Sequence, residues 1–273
     1  MVVVVECFQS PEDHRERVLV LRDTTTDERG YLDYFGGVIG ERIEPPANFA
    51  EWMRCDSVND RHELLIDIGD ANISVGAARL INEASIAMDE IIIGPGNPTT
   101  INTSVIGIDG RNGILAQAGP TAIWTDTDTI ATGVMEIDAS DITTIDSSVV
   151  VHEMIHVLGF LNVPGVPFAT FVDRDDLGQM VFTGEHATKA WRDVGGTGHP
   201  PLYEPDGGNH WDETQLRNEI QTPFSDGPAN ILSALTLGAL IDIGYQVNRN
   251  AADRYNMRDA LSAERCANCS VAV

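Results

Sequence analysis

The stretch VVVHEMIHVLGFLN, residues 149–162, sets the tightest limits on what this chain can become. From Val149 to Leu158 apolar residues occupy nearly every face of a helix, so the segment has no polar side to turn toward water and belongs in a core. His152, Glu153 and His156 are the only polar side chains in that run. Burying a polar group without a partner costs on the order of 2–7 kcal/mol, so these three need something to bind. Asp146 or Ser147 can cap the first N–H groups of the helix, and Gly159 is its natural stop, because glycine takes left-handed backbone without strain.

A metal ion meets that need. Residues four apart lie one above the other on a helix, so His152 and His156 can converge on one zinc ion. Glu153, about 100° further round the axis, can reach a water beside it. A catalytic zinc takes three protein ligands and keeps one position open. Three residues after Gly159, where a contiguous HExxHxxGxxH pattern has its third histidine, this chain has Asn162, a poor zinc ligand. Downstream the candidates are His186, His199 and His210, since His14 and His62 lie in or beside the N-terminal segment.

The rest of the chain fits around this helix. HELLIDIGD suits a strand, and the stretch from Ser74 to Ile93 places Val75, Ala78, Ile81, Ile86 and Met88 at helical spacings. INTSVIGIDG alternates as a strand, DGRNG makes a turn, and GVMEIDASD reads as another strand before the buried helix. Residues 1–58 show no sustained periodicity and read as an extension or pro-like segment. The 273 residues suffice for one large domain or two small lobes, and no run approaches the ~18 apolar residues of a membrane-spanning helix. The first residues, MVVVVECFQSPED, lack the basic start, apolar core and cleavage site of a signal peptide.

Net charge is −25, and one lysine, Lys189, stands among 17 basic residues. Such a surface repels nucleic acid and anionic lipid and keeps the chain soluble, so nucleic acid is excluded as a partner. The four cysteines, Cys7, Cys55, Cys266 and Cys269, are too few for a disulfide scaffold. The acidic loops TDTDT and DRDDLG raise calcium as a second ion, but neither matches an EF-hand, and solvated loops are favoured.

HEMIHVLGF resembles the active-site helix of leishmanolysin-like metalloproteases, a metzincin branch in which a long insertion separates the glycine from the third histidine. GGNHWDE places His210 and Trp211 where that family has its His-Trp pair. GILAQAGP (113–120), GVMEIDASDI (133–142), FTGEHATKAW (182–191), PLYEPDGG (201–208) and SALTLGALIDIGYQV (233–247) look like family segments in the family's order, so the resemblance spans residues 62–248. It implies His152, His156 and His210 as zinc ligands and Glu153 as general base of a zinc endopeptidase acting on protein or peptide substrates. His199, Glu204 and Glu213 are the alternatives for the third ligand.

The resemblance also implies an α+β, metzincin-like, two-lobe fold, with a twisted mixed sheet and two long helices in the N-terminal lobe. The expected divisions are an extension at 1–58, a catalytic domain at 59–248 and a tail at 249–273. Within the domain the N-terminal lobe is 59–162, the insertion 163–209 and a smaller C-terminal lobe 210–248. An extended peptide would add as an edge strand along the strands of 102–138. Relatives are mostly secreted or surface-bound, and in some a pro-segment thiolate blocks the zinc, a role open to Cys7 or Cys55. One departure stands out: where the family has a methionine beneath the zinc, EIQT puts Gln221, whose amide needs hydrogen-bond partners. A non-catalytic, zinc-bound peptide-binding relative is therefore the alternative function.

Overall fold

The computed structural model describes residues 62–68, 73–124, 127–225 and 230–257, and the backbone of five strands before residue 55. Those five are β1 (Val3–Gln9), β2 (Glu16–Asp23), β3 (Arg29–Phe35), β4 (Val38–Ile43) and β5 (Met53–Arg54). They form an antiparallel sheet in the order β4-β3-β2-β1-β5, more regular structure than the sequence pattern of 1–58 announced. Runs such as RVLVLRD are short enough to pair as a meander while carrying little periodic signal. The side chains of Cys7 and Cys55, and all of Cys266 and Cys269, lie outside the described residues.

The second sheet is mixed. β6 (Leu64–Asp67), β7 (Thr99–Ile106), β8 (Ala116–Ile123) and β9 (Ile130–Asp138) lie in the order β6-β7-β9-β8. The first three neighbours run parallel, and β8 returns antiparallel along β9 as an edge strand. Between β6 and β7 runs α1 (Val75–Ile91), capped by the Ser74 hydroxyl, which accepts from Ala77 N–H at 3.1 Å. Its buried stripe is Ala77, Leu80, Ile81, Ala84, Met88 and Ile91. Of the residues the spacing singled out, Ile81 and Met88 face the core, whereas Val75, Ala78 and Ile86 are exposed. Both periodicities fit a helix, and packing against the core selected the stripe.

α2 (Ser147–Val157) begins at Asp146, whose carboxylate accepts from Ser148 N–H at 2.8 Å. Every residue from Val149 to Val157 is buried, as its apolar faces require. The helix ends where Gly159 turns left-handed, at φ +98°. The chain then forms a hairpin of β10 (Val172–Arg174) and β11 (Met180–Phe182), α3 (Glu185–Asp193), the single turn α4 (Glu213–Leu216) and α5 (Ala234–Asp242). α3 and α5 pack at Gly238, where a Cβ would sit 2.7 Å from the Ala187 nitrogen.

One continuous core joins these parts, from Leu64 on β6 through Met154 on α2 to Trp211, Leu240 and Val247. The class is α+β with a mixed sheet. Among the described residues no helix is long and apolar enough to cross a membrane.

Candidate metal centre

Three buried histidines meet between α2 and the loop before α4. The Nε2 atoms of His152 and His156 are 2.9 Å apart, those of His156 and His210 3.1 Å, and those of His210 and His152 3.2 Å. Each ring spends its other nitrogen on a fixed acceptor. His152 Nδ1 donates to the Ile220 carbonyl at 2.5 Å, His156 Nδ1 to the Phe160 carbonyl at 2.7 Å, and His210 Nδ1 to the Asp206 carboxylate at 2.5 Å. A carbonyl or carboxylate cannot donate, so the ring protons sit on Nδ1 and all three Nε2 atoms present lone pairs to one another.

That arrangement fits a metal ion. A tetrahedral zinc with bonds of ~2.0–2.1 Å holds its nitrogens about 3.3–3.4 Å apart, close to the spacing here. Lone pairs facing each other in a dry interior need a cation between them, and the three side chains form a group able to bind one. Burial pushes His152 down to about 3, and it holds His156 well below its ordinary value, so both stay in the neutral, ligating form. Among the described residues this is the sole such group.

Glu153, next in sequence to His152, is fully buried, with neither carboxyl oxygen hydrogen-bonded among the described residues. Burial raises its carboxyl well above the ordinary glutamate value.

Several residues support the histidines that the motif did not announce. Asp206 accepts His210 through one oxygen and the N–H groups of Gly208 and Asn209 through the other, at 2.9 and 3.1 Å. Its signal was its place four residues before His210 in EPDGGNH. Asn162, standing where a contiguous motif has histidine, clamps that loop instead: its N–H donates to Asn209 Oδ1 at 3.0 Å and its amide to the Gly207 carbonyl at 2.9 Å. Gly208 is left-handed at φ +87°, and a Cβ there would strike Met180 Sδ, which keeps the loop close to the β-hairpin.

Gln221 is buried against α2. Its Nε2 donates to the His152 carbonyl at 3.0 Å, and its Oε1 has no partner among the described residues. The partner its amide needed is thus half supplied. Beside the centre, Trp211 packs edge-on against Phe160 and Phe182 in an aromatic cluster completed by Phe168.

The other candidates are placed elsewhere. His199 Nδ1 pairs with the Thr188 hydroxyl, His186 Nδ1 lies 3.1 Å from the Arg249 guanidinium, and Glu204 pairs with Arg174 at 2.9 Å. Glu213 is buried on α4, outside the histidine group. In DRDDLG, Asp175 accepts the N–H groups of Leu177 and Gln179, ordinary turn bonding; part of TDTDT lies outside the described residues.

No protein-family model matches this chain, and no curated protein matches it significantly.

Proposed function

We propose that this chain is a zinc-dependent endopeptidase of metzincin-like, two-lobed build, related to the leishmanolysin-like enzymes. The observation that carries the reading is the convergence of three Nε2 lone pairs whose Nδ1 protons are all committed elsewhere, with the residue after His152 a buried carboxyl that has no hydrogen-bond partner among the described residues. An all-imidazole donor set suits zinc among the divalent ions, and His152, His156 and His210 would hold it. When bound, zinc supplies Lewis acidity that polarises a carbonyl and brings the pKa of water to about 7.

Glu153 acts as general base, taking a proton from the attacking water and handing it to the leaving amine. Burial raises its affinity for that proton, which favours the uptake.

The edge strand supports a peptide substrate. Asp138 N–H donates to the Leu115 carbonyl, so with the register Ala116↔Ile137 the main-chain groups of Gln117 and Gly119 face β9. Those of Ala118 and Pro120 face the half-buried outer edge, where Pro120 loses no ladder bond by lacking an N–H; Ala116 is buried. An extended peptide can pair there, and β8 lies against the end of α2, with Gly119 beside Leu161.

Gln221 favours a second reading, a zinc-bound relative that binds peptides without cleaving them, because a half-satisfied amide lies beneath the ligands. One experiment separates the two: metal analysis of the purified protein with cleavage of an unfolded substrate by wild type and Glu153→Ala. Stoichiometric zinc with cleavage abolished in Glu153→Ala is the expected result. Zinc without cleavage in wild type selects the binding relative, and absence of zinc ends both.

A further inference from the structure

We infer that Glu219 is the positioning residue of the metal centre, holding His152 and the segment that carries His210 through one buried hydrogen-bonded hub. This inference rests on the metal reading above. Glu219 is fully buried, and none of the salt bridges among the described residues involves it. Its Oε1 accepts from the Ser233 hydroxyl at 2.7 Å, the Ser233 N–H at 3.2 Å and the Thr236 hydroxyl at 2.7 Å. Its Oε2 accepts from Gln221 N–H at 2.7 Å. A carboxylate is an acceptor only, and four donors from two separate segments, the 219–222 turn and the start of α5, close on this one.

From that hub two paths reach the ligands. The Oε2 bond folds Glu219, Ile220 and Gln221 into a tight turn. That turn aims the Ile220 carbonyl at His152 Nδ1 and the Gln221 amide at the His152 carbonyl. The second path runs through Thr236, which accepts from Trp211 Nε1 at 2.9 Å while donating to Glu219. Trp211, next in sequence to His210, is held again where its N–H donates to the Gln221 carbonyl at 2.9 Å. The orientation of two of the three ligands thus depends on a carboxylate that touches none of them. Burial pushes the Glu219 carboxyl up to about 7, with the bonds from Thr236, Gln221 and Ser233 opposing that shift.

The test is a cobalt(II) titration of the full chain at pH 8, read from the visible bands that report ligand geometry, with zinc affinity obtained by competition. Glu219→Gln puts an amide N–H₂ among four donors, and Thr236→Val cuts the bridge to Trp211 while keeping shape. Both are expected to weaken metal binding about 10–100-fold and alter the cobalt spectrum. Thr236→Ser, which keeps the hydroxyl, is expected to restore both. If Glu219→Gln fails to fold by circular dichroism, the Thr236 pair decides. Folded variants with wild-type affinity and spectrum overturn the inference, as does Thr236→Ser behaving like Thr236→Val. A wild-type chain that takes up neither cobalt nor zinc overturns the metal reading and this inference with it.

Discussion

Replacing Asp206 by Asn tests whether the orientation of His210 is built by its carboxylate. The aspartate has two acceptor oxygens: one takes His210 Nδ1–H at 2.5 Å, the other takes the N–H groups of Gly208 and Asn209. Asparagine has a single acceptor oxygen, and its N–H₂ can only donate. If the amide nitrogen faces His210, donor meets donor, and the ring escapes by moving its proton to Nε2, which removes the lone pair the metal needs. If it faces the backbone, two bonds are lost and the loop carrying His210 loosens. Hydrogen bonds to a charged group contribute about 1.5–3 kcal/mol. The Asp206 side chain is 21% exposed, so screening takes part of that. The expected outcome is a 10–100-fold loss of zinc affinity, or about 1.4–2.7 kcal/mol. Competition against a chromophoric chelator measures it, with Asp206→Ala and His210→Ala alongside. Zinc affinity within twofold of wild type in Asp206→Asn, when His210→Ala abolishes binding, would refute the reasoning.

Two further outcomes follow from buried groups. His62 donates through Nε2 to Thr99 Oγ1, whose own proton is committed to the Ile130 carbonyl, and burial pushes the ring down to about 4. Its folded value lies below the unfolded ~6.5, so the stability it contributes is full above pH 6.5 and is lost as pH falls toward 4. The loss amounts to about 3 kcal/mol, and denaturant titrations should show it shrinking in His62→Gln. An unchanged difference between the two proteins across that window counts against a neutral buried His62. Gln221→Met removes one hydrogen bond worth about 1 kcal/mol and an orphaned carbonyl costing about 1–3 kcal/mol, so the thermal midpoint should hold or rise with zinc content intact. A fall of several degrees would show that Gln221 Oε1 has a partner.

Much of the centre was legible in the sequence because the helix encodes it locally. Spacing of four aligns His152 with His156, and an apolar surround makes three polar side chains conspicuous; both follow from helical periodicity alone. The cap at Asp146, the stop at Gly159 and the strands at Leu64, Thr99 and Ile130 were legible from equally local signals: a capping side chain, a glycine and strand patterning. Strand β8 was harder to read. Ala116 to Pro120 has none of the β-branched alternation that marks a strand, and it is extended because β9 pairs with it. The stripe of α1 was ambiguous, since two sets of apolar residues satisfy one period and only packing against the rest of the core chose between them.

The sequence by itself determined that a buried helix would carry two imidazoles and a carboxyl in need of a partner, because those preferences are satisfied or violated within a few residues. It left the third imidazole open among His186, His199 and His210 until the family resemblance pointed to the last. Only the tertiary structure brought His210 to within 3.2 Å of the other two and gave each ring its fixed acceptor: Ile220, Phe160 and Asp206. It also turned Asn162 into a loop clamp and Glu219 into a hub. Such roles depend on which donors meet which acceptors across tens of residues, and no local pattern records that.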